Sequence, residues 1–256
     1  MSIKKIVLHT GNILDNEELV RKVGKTTLEE LRACVKTTLN NWNKDKNTNE
    51  ILEIRGTERI TNGVSMIDGS LPLDGSKTTV KIFLSRNCAE HVEDAIKTLK
   101  NELCMDKLHT VIIIPPDVSD DVPLDDLKPV WEALEVAVSD GEVGSIGIAD
   151  LSPQLFKELY EWAEVKPAII QVNLSSCCSV SEDLTLFAAQ KDVQVLTHND
   201  DPEVVDEDII ATILSRVELN GANCELSWLT RHRVIQTCYG LVTNKGYTLS
   251  IDLLQD

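Results

Sequence analysis

The sequence predicts an α/β fold, a (β/α)8 barrel of the TIM type. Three apolar runs within residues 143–200, VGSIGIADL, AIIQVNLSSCC and VQVLTHND, each end in a polar cluster and are separated by helix-like segments. Buried parallel strands whose last side chains meet at one shared edge have this pattern. The chain has 256 residues, 42% of them hydrophobic, which suits one barrel of roughly 250 residues. We therefore expect residues 1–256 to form a single barrel domain.

Composition argues against two classes of partner. The formal net charge of −17 gives a surface that repels nucleic-acid backbones and anionic membranes, so a protein partner is favoured. No apolar run approaches the ~20 residues that span a bilayer, and the first residues turn polar too early for a signal peptide. Seven cysteines without CxxC or metal-ligand spacing are expected to be reduced thiols. These features predict a cytoplasmic protein without a metal site.

Strands and helices alternate along the second two thirds of the chain. Amphipathic helices with one apolar stripe are predicted at residues 89–104 and 124–138. Apolar runs of strand length are predicted as parallel strands, at residues 80–84, 110–114, 143–148, 168–172, 193–197 and 234–237.

Capping residues mark the starts of two further helices. Ser152 precedes Pro153, the order typical of an N-cap followed by proline in the first turn. Near the amino end, Thr27 and Glu30 have the spacing of a capping box that opens a helix running to Trp42.

Two segments depart from the regular alternation. Residues 56–79 are rich in Gly, Ser, Thr and Asp where a helix would stand between the second and third strands, so a loop is expected there. After the eighth strand, Asn244-Lys245-Gly246 is predicted to form a turn between extended segments in place of a regular closing helix.

Other conspicuous residues have ordinary structural explanations. Asp150 and Asn173 are expected to cap the helices that follow their strands. The acidic run 200–208 is typical of a solvated helix start. Arg231-His232-Arg233 suits a solvated turn better than a contact with an acidic groove of a partner. Three tryptophans are predicted in helices that pack on the barrel, namely Trp131, Trp162 and Trp228.

Longer motifs resemble a known family. GSIGIADLSPQLFKELYEWAEVKP followed by QVNLSSCC resembles the aldo-keto reductase superfamily, whose strand ends carry G-x-S-N-F and Q-V-E at similar spacing. WAEVKPAIIQVNLSSCC, VQVLTHNDDPE and the early HTGNIL are more similar to the regulatory, or modifier, subunits of glutamate–cysteine ligase, a non-catalytic branch of that superfamily. The resemblance is strongest over residues 144–202. It implies a barrel of aldo-keto reductase type, irregular between strands 2 and 3.

The resemblance also implies where catalytic residues would stand. The superfamily donates a proton from an early tyrosine assisted by a lysine, an aspartate and a histidine. Here no tyrosine precedes Tyr160, and Tyr239 and Tyr247 lie beyond the last predicted barrel strand. Ser85 or Arg86 occupies the expected place of the lysine, and Ile114-Pro115-Pro116 that of the histidine. The catalytic tetrad is therefore expected to be absent, and no catalytic residue is assigned.

A vestigial cofactor pocket is expected at the ends of strands five to seven. Gln171 keeps the amide that faces a nicotinamide in the superfamily, and Asp150, Asn173 and His198 would complete the pocket. Acidic residues follow strand seven where a phosphate requires cations and helix amides. No cofactor is expected, with residual NADP(H) binding as the minority alternative.

Candidates for partner contact or redox chemistry lie at the same predicted rim. Cys177 and Cys178 suit a contact between subunits, although their interpretation as small buried side chains is favoured. Asn199 and Asp200, with His198, suit a partner contact and internal hydrogen bonds equally well.

Two functions follow from these observations. The resemblance implies a regulatory subunit that forms a heterodimer with the catalytic subunit of glutamate–cysteine ligase, raises its affinity for glutamate and relieves glutathione feedback inhibition in glutathione biosynthesis. The alternative is an NADPH-dependent oxidoreductase of the aldo-keto reductase type with a rearranged site.

Overall fold

One mixed sheet dominates the fold. The computed structural model describes residues 4–20, 26–42, 57–62, 75–116, 122–174, 180–201 and 205–254. Within these residues the strand order is β2-β1-β9-β8-β3-β4-β5-β6-β7. The strands are β1 Lys5–His9, β2 Thr57–Thr61, β3 Ser76–Leu84, β4 Leu108–Ile114, β5 Val143–Ala149, β6 Ile169–Asn173, β7 Gln194–His198, β8 Cys224–Gln236 and β9 Leu241–Leu253.

Helices connect most of these strands. A short 3-10 helix covers Ile13–Asp15. None of the helices in the described residues is long and apolar enough to cross a membrane. The α-helices are α1 Glu17–Val20, α2 Thr27–Asn41, α3 Ala89–Glu102, α4 Leu124–Ser139, α5 Pro153–Trp162, α6 Glu182–Gln190 and α7 Glu207–Arg216.

The βα alternation over β3–β7 confirms the predicted barrel-type α/β fold. These five strands are parallel and pair in chain order, with Val80 opposite Val111 and Ile148 opposite Ile170. Helices α3 to α6 pack on one face of them, in a core that contains Ile82 and the fully buried Trp131. Apolar runs buried on both faces form strands of this kind because helices cover them.

Helices α2 and α7 pack on the opposite face. Leu31 and Val35 of α2 and Ile213 of α7 form a second core with Leu249 of β9. Phe83 joins this core although its neighbour Ile82 belongs to the first one, because successive strand residues face opposite sides. Side chains on the α2 side of β3, including Lys81, are therefore enclosed between sheet and helices.

A long antiparallel hairpin replaces the predicted eighth parallel strand. Strands β8 and β9 pair antiparallel and lie between β1 and β3, and β8 is also antiparallel to β3, with Arg231 opposite Lys81. The strand predicted at residues 234–237 is present at residues 234–236, which end the 13-residue β8, but the expected parallel direction was wrong because β8 pairs antiparallel with both neighbours. Trp228, predicted in a helix, lies buried in β8. The extended segment predicted at the carboxyl end is present as β9.

The predicted turn at Asn244-Lys245-Gly246 was wrong because these residues continue β9. The hairpin turns instead at residues 237–240, where Gly240 has a φ of +64°. Gly246 is needed for close approach: a Cβ there would collide with the carbonyl oxygen of Gly11 and lie 2.7 Å from Cε1 of His232.

Gly246→Ala is expected to lower the free energy of unfolding by about 1–3 kcal/mol, because a methyl group has no room beside rigid backbone. Ser250→Ala is the matched control in the same strand, since its buried hydroxyl has no hydrogen-bond partner within the described residues. Urea unfolding of both variants measures the difference. Equal stability of the two would contradict the steric explanation.

Two predictions near the amino end need correction. The capping box of α2 is formed by Thr26 and Glu29, one residue earlier than predicted. The predicted loop at residues 56–79 was wrong at both ends, which belong to β2 and β3. Strand β2 is parallel to β1, and this pairing uses the backbone groups that a loop would leave to solvent. Residues 63–74 lie outside the described residues.

Candidate functional site: a buried ionic cluster

Four elements bring charged and polar side chains together beneath α2. Asp200 follows β7, Lys81 lies in β3, Arg231 in β8 and Thr27 at the start of α2. Asp200 is only 4% exposed, and Lys81 and Arg231 are buried as well. We call Lys81, Asp150, His198, Asp200 and Arg231 the ionic cluster.

The carboxylate of Asp200 is the centre of the ionic cluster. Arg231 donates two hydrogen bonds to it, of 2.5 Å to Oδ1 and 3.0 Å to Oδ2. Lys81 Nζ donates to Oδ2 at 2.7 Å, and the hydroxyl of Thr27 donates to Oδ1 at 2.9 Å. A bidentate arginine and a lysine satisfy this buried charge, which would be costly without partners.

His198 links two carboxylates. Its Nε2 lies 2.9 Å from Oδ1 of Asp150, and its Nδ1 lies 3.1 Å from Oδ2 of Asp200. Asp150 has a φ of +64°, a conformation that costs energy for a residue other than glycine. The predicted capping roles of Asp150 and Asn173 were wrong, because serines cap both following helices, namely Ser152 and Ser181.

Burial and contacts within the ionic cluster shift the pKa values of Asp200, Lys81 and His198. Burial opposes ionisation of Asp200, but the hydrogen bond from His198 and the charges of Arg231 and Lys81 outweigh it and hold the pKa of Asp200 well below its usual range. Burial lowers the pKa of Lys81 despite the neighbouring Asp200. Burial also opposes protonation of His198, yet hydrogen bonds to Asp150 and Asp200 raise its pKa.

Two amides complete the site. Nδ2 of Asn173 donates to the backbone oxygen of Asp200 at 2.9 Å. Gln171 is 7% exposed, and its Oε1 has no hydrogen-bond partner among the residues that the structure describes. This unsatisfied acceptor belongs to the side chain that the family resemblance places against a nicotinamide.

The structure brings most predicted site residues to one place. Asn173 and His198 end β6 and β7, Gln171 lies within β6, and Asp150 and Asp200 follow β5 and β7. The parallel order of these neighbouring strands brings the five residues to one side of the sheet. Asn199 is exposed beside them. The predicted contact residues Cys177 and Cys178 lie outside the described residues.

The acidic run after β7 is only partly a solvated helix start. Asp206 caps α7, accepting a hydrogen bond of 3.0 Å from the amide of Ile209, in line with the prediction. Asp200 and Asp201 differ, because they bind α2: Oδ2 of Asp201 accepts the amide of Leu28 at 2.9 Å. The segment after β7 therefore anchors the amino end of α2.

Lys81 was not among the predicted site residues, and Arg231 was misplaced. Arg231 was predicted in a solvated turn, which was wrong because it faces Lys81 across the β3–β8 pair. The available signal was a lysine inside the apolar run VKIFL, which is unusual in a strand covered on both faces. The partner of that lysine lies 119 residues away in sequence, so sequence spacing does not reveal it.

Tyr247 follows the predicted eighth strand, as expected. It lies in β9 within the core and is 0% exposed. Its hydroxyl donates to Oε1 of Glu30 at 2.5 Å, and Lys245 also pairs with Glu30. Burial and the charge of Glu30 raise the pKa of Tyr247.

Comparison with known proteins identifies the relatives of this chain. The model of the Aldo/keto reductase family matches residues 14–199. The glutamate–cysteine ligase regulatory subunit of Homo sapiens is 35% identical over 249 residues, covering 94% of this chain and 90% of that protein. The chain belongs to the glutamate–cysteine ligase regulatory subunits of the aldo/keto reductase family. The mouse regulatory subunit is 34% identical over the same length.

More distant members of the family match shorter parts of the chain. A putative glutamate–cysteine ligase regulatory subunit of Schizosaccharomyces pombe is 22% identical over 135 residues, covering 51% of this chain and 47% of that protein. Among solved structures, an aldose reductase of Giardia lamblia aligns over 66% of this chain and 52% of that chain, with 16% identity and a TM-score of 0.36.

Proposed function

We propose that this chain is a non-catalytic regulatory subunit that binds the catalytic subunit of glutamate–cysteine ligase. The observation that carries the proposal is the 35% identity to the human regulatory subunit across 94% of the chain. Such coverage includes both cores of the fold, so the proposal does not depend on one motif. We infer a heterodimer in the cytoplasm, working in glutathione biosynthesis.

The ionic cluster supports a role without chemistry. An acid catalyst in this family requires a tyrosine with a lowered pKa, whereas burial and Glu30 raise the pKa of Tyr247. Lys81 is engaged with Asp200 and is not close to a tyrosine hydroxyl in any contact of the described residues. We infer that the catalytic tetrad is absent and that the pocket of Asp150, Gln171, Asn173 and His198 holds no cofactor.

Regulation without chemistry requires a population shift. A subunit that binds one conformation of the catalytic chain more tightly than another shifts the equilibrium between these conformations. The size of the shift is set by the difference between the two affinities. We infer that this shift raises glutamate affinity and weakens feedback inhibition by glutathione. Asp200 is enclosed and unavailable for the contact, whereas Asn199 is exposed and, with Cys177 and Cys178, stays a candidate contact residue.

Co-purification and kinetics test the proposal. The purified chain is mixed with the ligase catalytic subunit of the same organism under reducing conditions at near-physiological salt. We expect a 1:1 complex with a lower KM for glutamate and a higher inhibition constant for glutathione. Persistence of the complex in reductant is expected, because an interface of ordinary size needs no covalent link.

The competing oxidoreductase function is tested separately. The chain alone is incubated with NADPH and a panel of aldehydes and ketones, and NADPH absorbance is followed. We expect no turnover. Carbonyl reduction that co-elutes with the chain and is lost in Lys81→Met would replace the regulatory proposal.

A further inference from the structure

The turn of the β8–β9 hairpin exposes a group of apolar side chains. We call residues 237–243, with the sequence TCYGLVT, the hairpin tip. Every residue of the tip is exposed, and the exposed fractions of Tyr239 and Leu241 are 78% and 61%. Elsewhere in the described residues, large exposed apolar side chains stand singly along the chain, as is normal for a protein surface. Tyr239, Leu241 and Val242 instead fall close together, which indicates a contact surface.

The hairpin tip lacks the charges that commonly protect an exposed hairpin. It contains no Asp, Glu, Lys or Arg. No acidic residue stands between Glu225 and Asp252, although acidic residues make up 42 of the 256 in the chain. Charged side chains on exposed strands protect monomeric proteins against unwanted pairing. Aromatic and aliphatic side chains without charge are instead the composition of the centre of a protein–protein interface.

Hydrogen bonds from outside the hairpin hold both strands of the tip in place. The amide of Thr237 donates to the backbone oxygen of Gly75, directly before β3, at 3.2 Å. On the other strand, Nδ2 of Asn12 donates to the backbone oxygen of Thr243, also at 3.2 Å. A surface that is ordered before binding loses little conformational entropy when it binds, which favours affinity.

The apolar side chains lie on both sides of the hairpin tip. Successive residues of a strand face opposite sides, so Leu241 and Val242, neighbours in β9, present apolar surface in two directions. Tyr239 stands in the turn between the two strands. A flat partner surface covers only one side of such a hairpin, whereas a groove covers both. An apolar groove is therefore the shape of partner that this tip fits.

We propose that the hairpin tip inserts into an apolar groove of the ligase catalytic subunit. This inference rests on the proposed function, which supplies that protein as the partner. Contact through the tip buries no charged side chain of this chain, so it avoids the desolvation cost that an acidic surface would impose. A second copy of this chain is a poorer occupant, because two chains of net charge −17 repel each other.

The hairpin tip is separate from the candidate contact residue Asn199. Ser76 at the start of β3 pairs with Gln236, so the tip lies beyond the amino end of β3. Asn199 follows the carboxyl end of β7, and β3 to β7 are parallel. The two surfaces lie at opposite ends of these strands, so substitutions in the tip measure the contribution of the tip alone.

Binding of variants to the catalytic subunit tests the proposal. Calorimetry of the full chain with the purified catalytic subunit of the same organism gives the dissociation constant. Leu241→Lys and Tyr239→Ser are each expected to raise this constant about tenfold or more, the effect of losing a central apolar anchor. Leu186→Lys is the matched control, because Leu186 is 56% exposed on α6, outside the tip, and is expected to leave binding unchanged. Urea unfolding checks that all three variants keep the wild-type stability.

Cysteine alkylation measures the same contact without any substitution. Cys238 is exposed in the hairpin tip, whereas Cys88 lies at the start of α3, near the other end of β3. Iodoacetamide labelling is followed at both thiols by peptide mass spectrometry. We expect labelling of Cys238 to slow when the catalytic subunit is bound, and labelling of Cys88 to keep its rate.

The outcomes separate this inference from the proposed function. Wild-type binding that neither Leu241→Lys nor Tyr239→Ser weakens, or a Cys238 that stays unprotected in the complex, would overturn the inference and leave the proposed function standing. Protection of Cys238 in the chain alone as its concentration rises would identify a second copy as the occupant and would also overturn it. Failure of the wild-type chain to bind the catalytic subunit would instead remove both proposals.

Discussion

Replacing Asp200 with asparagine is expected to lower the free energy of unfolding by about 3–5 kcal/mol, the cost of leaving buried charges without their counterion. Lys81 and Arg231 both point at this carboxylate, and each is no more than 9% exposed. Asparagine has the same shape but no charge, so packing is kept while two cations lose their partner. The NH2 group of asparagine can only donate. It cannot accept from Arg231 or Lys81, so at least one hydrogen bond is lost.

Asp200→Asn is expected to weaken one local attachment in addition to lowering the stability of the whole fold. Thr27 donates to Asp200, so the variant also weakens the attachment of α2 to the strand ends. Relative to the wild-type chain, Asp200→Asn should accelerate hydrogen exchange more in the first turn of α2 than in β3.

Asp208→Asn is the matched control for Asp200→Asn. Asp208 is exposed in the first turn of α7, and the same change there is expected to cost less than about 1 kcal/mol through the helix dipole. Urea unfolding monitored by tryptophan fluorescence measures both variants. If Asp200→Asn were no more destabilising than Asp208→Asn, the ionic cluster would not contribute to stability in the way its contacts indicate.

Local patterns in the sequence were sufficient to predict the βα half of the fold. Helices such as α3 and α4 and the parallel strands between them depend on apolar periodicity and caps, which neighbouring residues determine. Asp150, Gln171 and His198 were predicted at one rim, and they lie directly after β5, within β6 and at the end of β7. Parallel order then brings them together without further information.

The antiparallel half of the fold depends on contacts that sequence spacing does not encode. Trp228 resembles a helix residue by its spacing, yet its indole donates to Asp94 at 2.8 Å, 134 residues away. In the sequence, Gly246 has the pattern of a turn residue. The structure requires a glycine there because the backbone of Gly11 lies against it, and Gly11 is distant in sequence. Arg231 and Lys81 were missed for the same reason, since only the β3–β8 pairing makes them neighbours.

Two buried histidines form a second polar site, on the β1, β8 and β9 strands. His9 and His232 are 2% and 0% exposed, and their rings stack with centroids 6.0 Å apart. Nδ1 of His9 lies 2.7 Å from Oγ1 of Thr248, and Nε2 of His232 lies 3.0 Å from Oδ1 of Asn244. The other nitrogen of each ring has no partner among the described residues. Each ring is therefore accommodated as neutral imidazole.

Burial makes protonation of these rings unfavourable. Burial, and then the charge of Arg59, lower the pKa of His9 to about 3. Burial, and then the neighbouring His9, lower the pKa of His232 to about 3. The hydrogen bond to Asn244 and then the charge of Glu102, which pairs with Arg59, oppose the second shift without cancelling it. In the unfolded chain both rings protonate with the ordinary histidine pKa of 6.5.

Acidification is therefore expected to unfold the protein through this histidine pair. Below pH 6.5 the unfolded chain binds protons that the folded chain does not, so stability is complete above pH 6.5 and is lost as pH falls towards 3. Each ring contributes a slope of about 1.4 kcal/mol per pH unit inside this window. The carboxyl of Asp200, whose ordinary pKa of 3.8 is lowered by folding, adds a loss only at the acidic end of the window.

Urea unfolding at intervals between pH 7 and pH 5 measures the slope of the free energy of unfolding against pH that the histidine pair contributes. The slope that carboxyl groups contribute lies at lower pH. His9→Gln and His232→Gln are each expected to remove about half of the slope of the pair, because glutamine keeps one polar contact and does not titrate. The double variant should lose the slope of this pair and keep the part that His91 contributes, because burial lowers the pKa of His91 as well. A wild-type profile that is flat between pH 7 and pH 5 would show that the rings take up protons in the folded chain. An unchanged slope in the double variant would instead place the titrating group elsewhere, at His91, whose pKa is also lowered by burial.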